Sequence, residues 1–241
     1  QKTAPYSSLN SYLAKADTKG QTIHYLPPHR AEHKLKLADW LGINPASLKP
    51  SKEFIKGVVS QRIYKSEEEI TEIEKACNIT AKMHLTAIRE TRIGMKEYEV
   101  AAIIEEAAYT SGGRLSFPTI ATVNGQTLHN HYHGNTIKEN DMLLIDAGAE
   151  TEMGYAGDMS STIPAGKKFT SRQKEIYDIQ VASHTAAVET LRPGISFEEV
   201  YNLSAKVICE GMKSLGLMKG NTEEAVQAGA HAMFFPCGLG H

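Results

Sequence analysis

The chain has 241 residues, 41% of them hydrophobic and 22% charged, enough to bury a sizeable core and unlike disordered or fibrous chains. Twenty-six Lys and Arg stand against 28 Asp and Glu, a formal charge of -2, so no global field favours nucleic acid or an anionic membrane as partner. No apolar run approaches the ~20 residues that span a bilayer, and the opening QKTAPYSSLN lacks the apolar region of a signal peptide. Cys77, Cys209 and Cys237 are odd in number and far apart, which fits neither a disulfide framework nor a Cys-based zinc module. A reducing, cytoplasmic compartment is the default expectation. Gln1 is not a natural initiator and His241 follows Gly-Leu-Gly, so both ends read as cuts in something longer.

Residues 22 to 27 (TIHYLP) read as a strand, and 29 to 41 as a helix burying Leu35, Leu37, Ala38 and Leu41. Residues 51 to 62 read as a helix or irregular connector. Ser66 and Glu69 then form a capping box, after which Ile70, Ile73, Cys77, Ala81 and Ile88 recur at helical spacing. A domain boundary is placed at residues 62 to 65, dividing 1–63 from 64–241.

The second part repeats itself. Arg92-Ile-Gly-Met-Lys-Glu-Tyr-Glu-Val100 matches Arg192-Pro-Gly-Ile-Ser-Phe-Glu-Glu-Val200 at a spacing of 100. Helices at about 66 to 92 and 170 to 191 precede the match; helices at about 96 to 111 and 196 to 215 follow it. Each half then reaches a Phe-Pro pair, Phe117-Pro118 and Phe235-Pro236. In the first half a strand (119 to 123), an Asn124-Gly125 turn, a strand near 127 to 132 and β-rich segments at 141 to 149 and 154 to 163 should follow. A duplicated helix-helix-strand unit predicts an α+β domain with a pseudo-twofold axis. The second half stops before its strand pair arrives.

Asp146 ends the apolar run Met142-Leu-Leu-Ile-Asp-Ala-Gly148, and an acid there is expensive to desolvate without a partner. Asp158 lies twelve residues on, in Gly154-Tyr-Ala-Gly-Asp-Met159, where small residues permit close approach. Carboxylates on adjacent strands repel unless a cation lies between them. The plain alternative is that Asp146 caps a turn and Asp158 is solvated. His129, His131, His133, His231 and His241 crowd the same stretch. Each alone suits a surface or hydrogen-bonded core position. Together with the paired carboxylates they suit Mn, Co, Fe or Zn, and so a hydrolase. Cys237 reads either as a small buried hydrophobe or as a nucleophile or ligand. No GxGxxG or Walker pattern occurs.

The segments LLIDAGAE, GYAGDMSSTIPAGKKFTSRQKEIYD and FFPCGLGH together resemble the proline-specific branch of the pita-bread metallopeptidases, with Xaa-Pro aminopeptidase the nearer type and Xaa-Pro dipeptidase (prolidase) close behind. The resemblance covers about residues 66 to 241. It implies a pita-bread catalytic domain, incomplete at the C-terminus and preceded by the tail of a smaller α/β domain. It implies two divalent cations, usually Mn with Co or Zn as alternatives, held by Asp, Asp, His, Glu and Glu. Asp146, Asp158 and His241 match the first three, with Asp158 bridging, and the two glutamates would lie beyond residue 241. His129 matches a substrate-side histidine that donates a hydrogen bond or shuttles a proton. Cys237 stands at a substrate-facing position where the family usually has histidine. The implied partners are Xaa-Pro peptides, and a homodimer stays open. The rival reading from another class is a non-catalytic pita-bread module that binds protein; the retained Asp146, Asp158 and His241 favour the enzyme.

Overall fold

The computed structural model describes residues 3–166 and 168–240. Contacts divide the chain into two units, residues 1–72 and 73–241.

In the first unit, α1 (Leu9–Thr18), α2 (Ala31–Leu41) and α3 (Lys52–Ile63) are joined by irregular segments. Gly42, at φ 64°, ends α2 in the left-handed conformation that glycine adopts without strain. Ala38 is buried, but Leu35 of the expected apolar face is 60% exposed. The expected strand at 22–27 does not form. Tyr25 instead accepts from the Ser51 backbone N–H (3.3 Å), and its hydroxyl accepts from Lys49 N–H (2.7 Å). Pro27 and Pro28 contribute no N–H to a ladder.

The division between units falls inside α4 (Glu67–Glu90). The expected capping box is present: Ser66 N–H donates to Glu69 Oε2 (2.8 Å) and Glu69 N–H to Ser66 Oγ (3.3 Å). The buried face of α4 differs from the one expected. Ile70 and Ile88 are 40% and 46% exposed, while Ala76, Thr80, Met83, His84 and Ala87 are buried. Close approach is the reason. A Cβ on Gly157 would lie 2.8 Å from the Ala76 carbonyl oxygen and 2.4 Å from Thr80 Oγ1, so this face must be small, and two of its polar side chains bond the sheet.

α5 (Glu97–Tyr109) follows, then β1 (Arg114–Leu115), β2 (Ile120–Thr122), β3 (Met142–Ala147), β4 (Ala149–Glu150) and β5 (Met159–Pro164). β2, β3 and β5 form an antiparallel sheet with β3 central; β1 pairs with β4. Leu143, Ile145 and Ala147 alternate into a core with Met83 and Ala87 of α4 and Val100, Ile104 and Ala108 of α5. Each large aliphatic side chain fully buried there contributes roughly 1.5–3 kcal/mol. The expected strand at 127–132 is absent, and the strand expected from residue 154 begins at Met159. Residues 133–137 instead bond the start of α5: Tyr98 N–H donates to His133 O (3.0 Å), Glu97 N–H to Asn135 O (3.1 Å) and Ile137 N–H to Met95 O (2.9 Å).

The second half begins with α6 (Ser171–Thr190) and α7 (Phe197–Ser214), followed by the short α8 (Thr222–Gln227). The repeat seen in sequence is a repeat in structure. Gly94 (φ 94°) and Gly194 (φ 89°) occupy the same left-handed position. Met95 N–H bonds Arg92 O and Ile195 N–H bonds Arg192 O, each at 3.3 Å. Glu99 and Glu199 accept from the backbone N–H of Lys96 and Ser196 at 2.7 and 2.9 Å. α6 and α7 pack through Ser183 and Ser204, whose hydroxyls lie 2.5 Å apart.

Candidate metal centre

Antiparallel register decides which side chains share a face, because residues directly opposite one another point the same way. On β3, Ile145 faces the core and Asp146 the opposite side. Asp146 stands opposite Ile120 of β2 and Ser160 of β5. Asp158 precedes β5 by one residue, two positions from Ser160. The period of two therefore carries Asp158 towards the same side as Asp146.

The chain pass that makes this possible depends on two glycines. A Cβ on Gly148 would lie 2.0 Å from the Gly157 carbonyl oxygen, so no other residue fits there. Gly157 N–H donates to Ala149 O (2.8 Å), and its carbonyl accepts from Ser116 Oγ (2.9 Å). Thr80 Oγ1 accepts from Ala149 N–H (3.0 Å) and donates to Ala76 O (2.9 Å), tying the pass to α4.

Burial raises the Asp146 carboxyl above its ordinary value, and the charge of Asp158 raises it further. A hydrogen bond from Ser160 and the nearby rings of His129 and His84 oppose the shift without cancelling it. His84 lies behind the strand. Its Nδ1 is 2.6 Å from Ser161 Oγ and its Nε2 3.2 Å from Ala147 O. Nε2 must donate to that carbonyl, so in the neutral ring Nδ1 accepts the hydroxyl proton.

His129 is exposed, adopts φ 53° and lies close enough to act on Asp146. His131 is exposed, and His133 is half-buried. His231 Nε2 pairs with the Tyr201 hydroxyl (3.0 Å), and Tyr201 stacks on Phe235. That histidine is thereby occupied in packing the Phe-Pro segment. Cys237 is an exposed thiol, not the buried hydrophobe of the plain reading. His241 lies outside the described residues. Among the described residues, no group of three or more His, Cys, Asp or Glu side chains is close enough to hold a metal ion.

Sequence reasoning missed Thr80, His84, Ser160 and Glu97. Glu97 alone left a trace, since the repeat has Phe197 in its place.

Asp158 is exposed just ahead of β5, and half-buried Asp146 on β3 is pushed towards protonation by burial and by the Asp158 charge; such a pair of oxygen donors is one whose repulsion a divalent cation would relieve. The domain around them is a duplicated α+β unit. The chain matches metallopeptidase family M24 over residues 71–241 and belongs to that family; its fold is the pita-bread fold, and the family uses divalent metal ions. It is 37% identical over 189 residues to the Xaa-Pro aminopeptidase of Escherichia coli, covering 76% of this chain and 42% of that protein. It is 31% identical over 192 residues to the Xaa-Pro dipeptidase of Homo sapiens, covering 76% of this chain and 39% of that one. The proline aminopeptidase P II structure from Yersinia pestis superposes with a TM-score of 0.84 at 29% identity, over 99% of this chain and 57% of that one. The chain spans less than half the length of these curated relatives. Among the described residues, no helix is long and apolar enough to cross a membrane.

Proposed function

We propose that this protein is a metal-dependent aminopeptidase that hydrolyses the Xaa-Pro bond and releases the residue ahead of proline. The observation that carries the reading is the Asp146–Asp158 pair: the charge of exposed Asp158 reaches a half-buried Asp146 whose own burial opposes charging. Asp146 would hold one of two cations, Asp158 would bridge them and His241 would hold the other, with Mn preferred and Co or Zn as alternatives. When bound, the cations supply Lewis acidity towards the scissile carbonyl and towards water.

The remaining work falls to side chains. Ser160, donating to Asp146, keeps that carboxyl oriented and favours its charged form. His129 would donate a hydrogen bond to the substrate or carry a proton between solvent and the leaving nitrogen, which suits its exposed place beside Asp146. The Xaa-Pro bond is a tertiary amide without an N–H, so recognition must rest on the proline ring and the free N-terminus. Cys237 stands on the substrate side, where a thiol offers a weaker donor than imidazole.

The 37% identity to the Escherichia coli aminopeptidase and the fold likeness to the Yersinia pestis proline aminopeptidase support a product of N-terminal residue plus shortened peptide. We also place the catalytic domain at 64–241, since the capping box at Ser66 starts α4 as one continuous helix. Unbridged Cys77, Cys209 and Cys237 suit a reducing cytoplasm. The test is an assay of the full-length protein on Xaa-Pro dipeptides and Xaa-Pro-Yaa tripeptides with Mn, before and after chelation. Activity on the tripeptides, lost in chelator and in Asp158→Asn, is the expected result. Undiminished activity of that variant or in excess chelator would overturn the reading.

A further inference from the structure

We infer that Glu97 is the positioning residue for His129: its one buried carboxylate clasps both ends of the loop that carries the histidine. The inference rests on the substrate-side role proposed for His129.

Glu97 is fully buried. Its Oε1 accepts from Thr122 Oγ1 (3.0 Å) and Val123 N–H (2.8 Å), at the end of β2. Its Oε2 accepts from Asn135 N–H (3.0 Å) and Asn135 Nδ2 (2.9 Å), where the chain returns. Residues 124–134 between these points form no strand. Their internal bonds include Thr127 N–H to Asn124 O (2.9 Å) and Tyr132 N–H to Asn130 Oδ1 (3.0 Å). His129, at φ 53°, sits in this segment. A left-handed non-glycine residue costs on the order of 1 kcal/mol and persists where the surroundings hold it.

Helix capping does not explain the acid. Glu99 already accepts the Lys96 N–H, as Glu199 does the Ser196 N–H in the repeat. The repeat manages without an acid at the equivalent of Glu97, where Phe197 is 57% exposed. What differs is the loop. A carboxylate only accepts, and its two oxygens offer about four sites, matching the four donors of Thr122, Val123 and Asn135. A glutamine in its place would turn two N–H groups towards other donors, and an aspartate would be one carbon too short to reach both loop ends. Burying an acid is costly unless its bonds are complete. Here they are complete only while the loop is closed, so the same carboxylate that the fold must satisfy fixes where His129 stands.

The experiment uses Glu97→Gln in the full-length protein, with Asn135→Ala as a milder second variant that removes one donor and keeps the clasp partly made. Amide hydrogen exchange should rise about tenfold or more at Val123 and position 135 while β3 amides stay protected, and the His129 ring resonance should move. With Mn and an Xaa-Pro-Yaa peptide, kcat/KM should fall about ten- to hundredfold through misplacement of the histidine. The same substitution made on His129→Ala should change the rate by less than about twofold, the coupling expected of residues acting as a unit. Unchanged exchange at both loop ends, or loss of protection spreading equally to β3, would overturn the clasp. If the parent protein does not cleave Xaa-Pro bonds, the proposed activity fails, and exchange and the His129 resonance still decide the clasp.

Discussion

Ser160 stands directly opposite Asp146 on the neighbouring strand, and its hydrogen bond favours the charged form of a carboxyl that burial and Asp158 both disfavour. The balance goes against the charge, since the carboxyl is raised overall. Without a cation, charged Asp146 is therefore a cost to the fold.

That cost sets a pH dependence. The folded state holds the Asp146 proton more tightly than the unfolded chain, so its contribution to stability is complete below the ordinary carboxylate range and is lost as pH rises through the raised folded value. In chelator at neutral pH, Asp146→Asn should melt a few degrees above the parent, a modest gain because the group is partly solvated. The gain should shrink on acidification, and stabilisation by added Mn should be lost. Thermal denaturation followed by circular dichroism across pH checks all three; a lower melting temperature at neutral pH would contradict the assignment.

Gly148→Ala should be among the most damaging small substitutions in the chain. Its Cβ would meet the Gly157 carbonyl oxygen at 2.0 Å, and backbone on both sides cannot yield cheaply. A loss of roughly 3 kcal/mol or more is expected in urea denaturation. Gly57→Ala, inside α3 with open space at its Cβ, should instead stabilise by about 0.5–1 kcal/mol.

His84→Leu should cost about 2–4 kcal/mol, since it leaves Ser161 Oγ and the Ala147 carbonyl without a side chain that served both. Ser161→Ala should cost about 1 kcal/mol. The double variant should lose less than the sum, which equilibrium unfolding of the four proteins measures.

Thiol reactivity separates the cysteines. Cys237 is exposed and should react with a disulfide reagent within the mixing time of the native protein. Cys209 is fully buried, and burial pushes its thiol up, so it should react only as α7 opens. Equal rates for the two in native buffer would contradict the packing of α6 on α7.

Sequence alone determined what is local or repeated. The start of α4 was legible because Ser66 and Glu69 are a capping pair three residues apart. The duplication was legible because the turns at Gly94 and Gly194 need the same left-handed glycine. Asp146 stood out as an acid ending an apolar run, and its resemblance-bearing neighbours pointed to metal chemistry. The buried face of α4 was not legible: apolar periodicity chose Ile70 and Ile88, whereas the sheet's close approach at Gly157 chose Ala76 and Thr80. Nor was the 124–134 loop, since a strand needs a partner and its returning end found the first turn of α5 instead. Glu97 left only a mismatch in the repeat, and its role, like that of His84, became clear in three dimensions, because their donors and acceptors lie 25 to 77 residues away along the chain, a separation that local pattern cannot encode and only the packed fold closes.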